Sequence, residues 1–515
     1  MTTFAQILKD GYTFEGKTIF LGSSQTVEKD AGDLPVCLPI STLNRHGLIS
    51  GATGTGKTKT IQGFLESLSK AGIPSVIMDM KGDVSGMAFA GSPHPKIDER
   101  LAHMSSVEWK PQEFPVEFWQ LHGEGGAQLR ATITEFGPQL LARMMDLTDA
   151  QQGALAIVFA YCDDKGLLLV DLDDLKTVLT FVSKEGKEEV ENTYGSVSTA
   201  TLRVLMRKIL ELENQGASEF FGEKSLELSD VFRTDGEGKG QVNIVRLMQS
   251  MRYPALFSTF MLSILTEVYY KLPEVGDIDT PKGIIVIDEA HMLFRDISKN
   301  LLDEIVSILK LIRSKGVGIY FCTQTPTDIP EEVLSQLGLK IQHALRAFTA
   351  KDNETIKKMA KNFPVTEFYD VETEMKELGI GEAIITGLNE DGRPTPLVRT
   401  LIAPPESRMD AITDSELASM LSLSDLIDKY RETINLESAH EILSEKILTA
   451  RAEAEKIQAE KEAKKNPSLQ DTLVKTATKS IGTEIARSIG KKIGGRQLGS
   501  IGAKIARGIL GSIFK

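Results

Sequence analysis

Residues 51–58 read Gly-Ala-Thr-Gly-Thr-Gly-Lys-Thr, and no other segment restricts the fold of this chain more tightly. Glycine at 51, 54 and 56 opens backbone dihedrals closed to other residues, so successive N–H groups can turn toward one centre. The preceding Gly47–Ser50 suits a short buried strand. The following Lys57–Lys70 places Ile61, Phe64, Leu65 and Leu68 on one helical face. Strand, glycine loop and helix N-terminus in that order form a concave cluster of amide dipoles, which attracts an anion. The spacing G-x-x-x-x-G-K-[ST] adds an ammonium, Lys57, to reach β- and γ-phosphates, and a hydroxyl, Thr58, to ligate Mg²⁺. Gly51, Ala52, Thr53, Gly54, Thr55, Gly56, Lys57 and Thr58 are therefore the expected binding residues for ATP with Mg²⁺.

Such a loop needs a carboxylate at the end of a neighbouring strand to hold the magnesium shell. Gly283–Ile287 is a continuous apolar run, as a central parallel strand requires, and it ends in Asp288-Glu289. Asp288 is the expected Mg²⁺ partner, and Glu289 is placed to polarise the attacking water. Thr323-Gln324 closes the next strand, where Gln324 would sense the γ-phosphate. Arg45, Arg313 and Arg346 are candidates to stabilise transition-state charge, and composition does not rank them. Asp79, at the tip of the strand Ser75–Met80, reads equally as a partner of Lys81 or as a member of the active site.

Alternating strands and helices predict an α/β P-loop NTPase (RecA-like) fold. Its mostly parallel sheet would carry helices on both faces, a large helical insertion and a helical C-terminal extension. The chain divides accordingly into a small N-terminal β segment (1–44), an ATPase core (45–90 and 240–403), a mainly helical insertion (91–239), a helical extension (404–466) and a tail (467–515). Residues 1–44 read as short strands and turns, Lys340–Phe348 as a strand, and Gly379–Leu401 as a hairpin turned by Asn389-Glu390-Asp391-Gly392.

The 515 residues are 41% hydrophobic and 25% charged, an ordinary globular composition. Cys37, Cys162 and Cys322 are far apart and form no C-x-x-C pair, which suits a reducing compartment and no structural zinc. No secretory leader and no apolar run of membrane-spanning length is evident, so a cytoplasmic protein is expected. The net charge of −13 does not mark a nucleic-acid binder. The tail is the exception: from Leu469 onward nine basic residues face two acids, Asp471 and Glu484. Within it Ile481, Ile485, Ile489 and Ile493 recur at i+4, as on an amphipathic helix for an anionic membrane, DNA or a partner protein, while its glycines equally suit a flexible basic tail.

Five segments together resemble the HerA/FtsK group of P-loop motor ATPases, and within it HerA-like proteins of the YjgR type. They are RHGLISGATGTGKT (45–58), VIMDMKGDVSG (76–86), IIVIDEAH (284–291), RSKGVGIYFCTQTP (313–326) and QHALRAFTAKD (342–352). The resemblance implies that Arg45 and Arg313 act at the nucleotide site, one of them across a subunit boundary, that Asp79 is an active-site carboxylate, and that Gln324 is the sensor. It also implies a ring, a hexamer, driving sequence-independent translocation on DNA. Two departures stand out. Only 44 residues precede the core, too few for the β-barrel usual in HerA, and Leu339-Lys340 stands where relatives often carry Asn-Arg. Asp288-Glu289-Ala290-His291 also spells a DEAH box, but 231 residues separate it from Lys57, far more than in those helicases. A nucleotide-switched scaffold, docked through its basic tail, is the alternative reading.

Overall fold

A computed structural model describes residues 3–25, 34–104, 108–121, 123, 125–247, 254–276, 278–295, 297, 299–431 and 437–465. The basic tail lies outside the described residues. The chain forms two compact units: Met1–Leu147 with Leu210–Ile434, and Thr148–Ile209 with the described residues from 437 onward.

The first unit is built on one sheet of twelve strands: β1 (Thr18–Ser24), β2 (Pro35–Pro39), β3 (Gly47–Ser50), β4 (Ser75–Asp79), β5 (Val116–Gln120), β6 (Ala127–Gln128), β7 (Val242–Arg246), β8 (Gly283–Ile287), β9 (Val317–Thr323), β10 (Leu339–His343), β11 (Glu382–Thr386) and β12 (Val398–Ile402). Their order is β2-β1-β12-β11-β10-β3-β9-β8-β4-β7-β5-β6. From β10 to β6 every pairing is parallel. From β10 back to β2 every pairing is antiparallel. Every residue of β3, β4, β8 and β9 is buried, because helices cover both faces of a parallel sheet. The fold is thus the α/β P-loop NTPase arrangement that the sequence predicts.

The helix Lys57–Lys70 buries Ile61, Phe64, Leu65 and Leu68, the face expected from their spacing, and stops at Gly72, whose φ is 75°. The segment Gly379–Leu401 does pair as a hairpin, β11 against β12, with Gly392 N donating to Asn389 O at its turn.

Three local expectations need correction. Residues Phe4–Gly11 are a helix, capped by Thr3 and burying Phe4 and Leu8 one turn apart; its apolar residues are confined to the first five positions, a little over one turn, too short a stretch to establish a period. The strand expected over Lys340–Phe348 ends at His343, where the chain turns to meet the glycine loop. Val116–Gln120, in a stretch expected to be mainly helical, is a parallel strand of the sheet, with Phe118 opposite Ile244. Glu117 and Gln120 interrupt its apolar run, and both are buried because Ser424, Arg233 and Gly123 satisfy them.

The second unit is helical. Asp149–Lys165, Leu172–Ser183 and Lys187–Tyr194 come from mid-chain, and Ala439–Lys465 comes from the C-terminal part. Asp174 joins them: its Oδ1 accepts from Ser438 Oγ and, at 2.7 Å, from His440 N, while Thr177 Oγ1 meets His440 Nδ1 at 2.7 Å. The cysteines are free, and no described helix is long and apolar enough to cross a membrane.

Candidate nucleotide site

A parallel sheet presents the C-terminal ends of its strands along one edge, and a ligand binds in the crevice outside that edge. Ser50 ends β3 and leads into the glycine loop. Gly51 N donates to Thr323 O (3.3 Å) and Ala52 N to Ala344 O (2.9 Å), so the loop is sewn to the tips of both flanking strands. A Cβ at Gly51 would lie 2.5 Å from His343 Cβ, and Gly56, the N-cap of the helix, has φ 108°. Both positions therefore require glycine. Lys57 is buried in the first helical turn, with Thr58 beside it.

The acids do not lie on the strand next to the loop. β9 is inserted between β3 and β8, so Asp288 stands two strand spacings away, roughly 10 Å. That gap suits the phosphates of a nucleotide, and the intervening tip delivers Gln324, whose Oε1 accepts from Thr53 Oγ1 at 3.4 Å. Loop, sensor candidate and acids thus share one edge.

Asp288 Oδ1 is buried and has no hydrogen-bond partner among the described residues. Burial pushes its carboxyl up to about 6, with Glu289 adding to the shift and Lys57 opposing it. A desolvated, unsatisfied carboxylate oxygen beside a lysine fits a cation as its missing partner. Among the described residues no cluster of three or more His, Cys, Asp or Glu offers a complete metal site.

Glu289 is 5% exposed and has φ 48°, a left-handed backbone that costs a non-glycine residue about 1–2 kcal/mol. Its Oε1 meets Lys81 Nζ at 2.6 Å, and His291 Nδ1 lies 3.3 Å from Oε2 without the geometry of a hydrogen bond. Burial alone would raise its carboxyl. The Lys81 hydrogen bond and the charges of Lys57, Lys81 and His291 outweigh burial and hold it below the usual carboxylate range.

Asp79 is buried at the tip of β4, where its carboxylate accepts from Lys81 N (3.1 Å), Gly82 N (2.7 Å) and Val84 N (3.4 Å). It shapes the turn that carries Lys81, and Lys81 pairs with Glu289. No sequence spacing reveals that pairing, which follows from β4 lying beside β8. His343 was also missed. It is fully buried beneath the loop, with Nε2 2.9 Å from Thr60 Oγ1 and Nδ1 2.8 Å from Glu382 O, and burial drives its imidazole down to about 4.

The arginines are distributed differently. Arg45 precedes β3 and Arg313 precedes β9, so both sit at the opposite edge of the sheet, with Asn44 Nδ2 donating to Arg313 O at 3.4 Å. The seven residues of β9 alone separate Arg313 from the Thr323 tip, on the order of 20 Å. Arg346 is exposed just past Ala344, on the loop's side.

The family model for the helicase HerA-like C-terminal region matches residues 24–515. The chain belongs to that family. Among relatives of this HerA-like chain, the DNA double-strand break repair helicase HerA of Sulfurisphaera tokodaii is 24% identical over 395 residues, covering 72% of this chain and 68% of the relative. The helicase of the same name from Sulfolobus acidocaldarius is 22% identical over 395 residues, with the same two shares. Among solved structures, the bacterial conjugative coupling protein TrwB superposes with a TM-score of 0.50 at 13% identity, covering 80% of this chain and 95% of that one, which is a likeness of fold.

Proposed function

We propose that this HerA-like chain is an ATP-hydrolysing motor that binds Mg-ATP between Gly51–Thr58 and Asp288–Glu289 and drives sequence-independent translocation on DNA, assembled as a cytoplasmic ring, a hexamer. The observation that carries the reading is the unsatisfied, buried Asp288 oxygen facing the same edge as the glycine loop.

In this reading the loop amides and Lys57 hold the β- and γ-phosphates, and the helix N-terminus adds its partial positive charge. Thr58 and Asp288 hold Mg²⁺, which when bound supplies charge neutralisation on the phosphate oxygens. Glu289 orients a water and accepts its proton as the water attacks the γ-phosphate. Gln324, tied to Thr53, registers whether that phosphate is present. Asp79 supports the site from the side by fixing the Lys81 turn. Arg45 and Arg313 lie at the sheet edge opposite their own chain's loop, so their catalytic role is toward the site of an adjacent copy, as a head-to-tail ring supplies.

The relatives' names supply the DNA substrate, and the contact would be to phosphates through lysines and arginines, with strong salt dependence. The deciding experiment measures ATP turnover of the full chain with and without long duplex DNA at several salt concentrations. Stimulation that weakens with salt is expected; turnover indifferent to DNA, together with no DNA binding, would refute the translocase.

A further inference from the structure

Glu289 is assigned above to water activation, and the following rests on that assignment. A carboxylate can serve only if one of its oxygens can accept from the attacking water; Oε2 is buried away from solvent without a hydrogen-bond partner among the described residues, and Oε1 is held 2.6 Å from Lys81 Nζ. The two partners differ sharply in exposure: the Glu289 side chain is 6% exposed and that of Lys81 is 43%. When an ion pair straddles the surface in this way, the exposed partner is the one that can leave, because water replaces its contact, whereas the buried anion stays and keeps Lys57 and His291 as its remaining counter-charges. Lys81 also stands on a fixed pivot. Asp79 holds the N–H groups of Lys81, Gly82 and Val84, so the backbone of the turn stays in place while the four-carbon side chain swings. The partner strand is equally constrained, since Met78 pairs with Ile287 and Ala290 N donates to Cys322 O at 2.8 Å.

We propose that Lys81 is a positioning residue that restrains hydrolysis: it occupies Glu289 Oε1 when the motor is idle and releases it toward the water when the motor engages its track. Strand order places the restraint on β4, a strand that carries neither the glycine loop nor the acids. A swing of the Lys81 side chain on its fixed turn can therefore switch the reaction without disturbing the phosphate cradle. The consequence is a split between binding and turnover: loss of the lysine changes how fast bound ATP is cleaved and leaves its binding alone.

The test uses the full chain as wild type, Lys81→Met, Lys81→Arg and Glu289→Gln. ATP turnover with Mg²⁺ is read with and without duplex DNA, and affinity for a fluorescent ATP analogue is read separately. Lys81→Met keeps the side-chain stem at a half-exposed position, so the fold is retained. Its DNA-free kcat should rise roughly 5- to 30-fold with KM and analogue affinity unchanged, reducing the ratio of stimulated to basal rate. Lys81→Arg, which restores a cation, should return the basal rate to that of wild type. A basal kcat in Lys81→Met equal to or below wild type, or a change confined to KM, would overturn the proposal. Glu289→Gln separates the two ideas: if it hydrolyses ATP at the wild-type rate, the assignment of Glu289 itself fails, whatever Lys81 does.

Discussion

Lys81 and Glu289 stand 208 residues apart in sequence and meet at 2.6 Å, across the tips of two adjacent parallel strands. The contact gives a buried anion its counter-charge and ties the β4 turn to the strand that carries both acids. The candidate site is consequently four-sided: glycine loop, Gln324, the acid pair and the Lys81 turn.

Binding and hydrolysis should separate by residue. Lys57→Ala removes the one buried ammonium of the cradle and should weaken nucleotide binding at least about tenfold, measured by titration with a fluorescent analogue. Glu289→Gln should keep that affinity while turnover falls on the order of 100-fold, measured by phosphate release.

The glycine at 51 is a steric requirement. Gly51→Ala would place its Cβ 2.5 Å from that of His343, so the loop must shift away from β10. The variant should lose roughly 1–3 kcal/mol of stability in urea unfolding, together with most of its nucleotide affinity.

Buried histidine makes stability fall in mild acid. His46 Nδ1 accepts from Ile319 N at 3.0 Å and its Nε2 donates to Leu309 O at 2.7 Å, so protonation of Nδ1 would break the first bond. Burial drives its imidazole from the ordinary 6.5 down to about 4, with the charge of Arg313 acting in the same direction and the Leu309 bond opposing both. Between those values the unfolded chain takes up a proton and the folded chain does not. The contribution is therefore complete above about pH 6.5 and is lost as pH falls toward 4. His343 acts in the same sense. His46→Asn removes the titrating ring and should flatten the stability profile across that window by up to about one proton, measured by denaturant unfolding at stepped pH.

Glu66 fastens the chain after β12 to the helix of the glycine loop. Its carboxylate accepts from Glu406 N at 2.8 Å, Ser407 N at 3.0 Å and the Ser407 hydroxyl, all buried. Glu66→Ala would leave these donors unsatisfied and should cost about 2–4 kcal/mol in thermal or urea unfolding, more than Glu66→Gln, which keeps an acceptor.

What the sequence disclosed depended on how local each signal was. The loop at 51–58 and the apolar run into Asp288 are contiguous patterns with a physical reason for every position, and the structure puts both on one sheet edge. The strand inserted between them was not foreseen, because a strand's spatial order is not written in its own residues. Lys81 was visible only as a neighbour of Asp79 for the same reason. The positions of Arg45 and Arg313 were, in principle, readable: each precedes a parallel strand, so each belongs to the edge opposite the strand tips. Val116–Gln120 escaped because two buried polar residues in five hide its alternation, and Phe4–Gly11 because its apolar residues span little more than one turn.

The antiparallel flank of the sheet ends at β2, which begins and ends in proline, Pro35 and Pro39. A proline has no N–H to offer an incoming strand, so at this margin two of the strand's five residues cannot donate. Extending the sheet from one molecule into the next is thereby discouraged on this side. Copies that associate here must recognise one another through side chains rather than by main-chain zippering, which favours a contact that can loosen and re-form over one that locks.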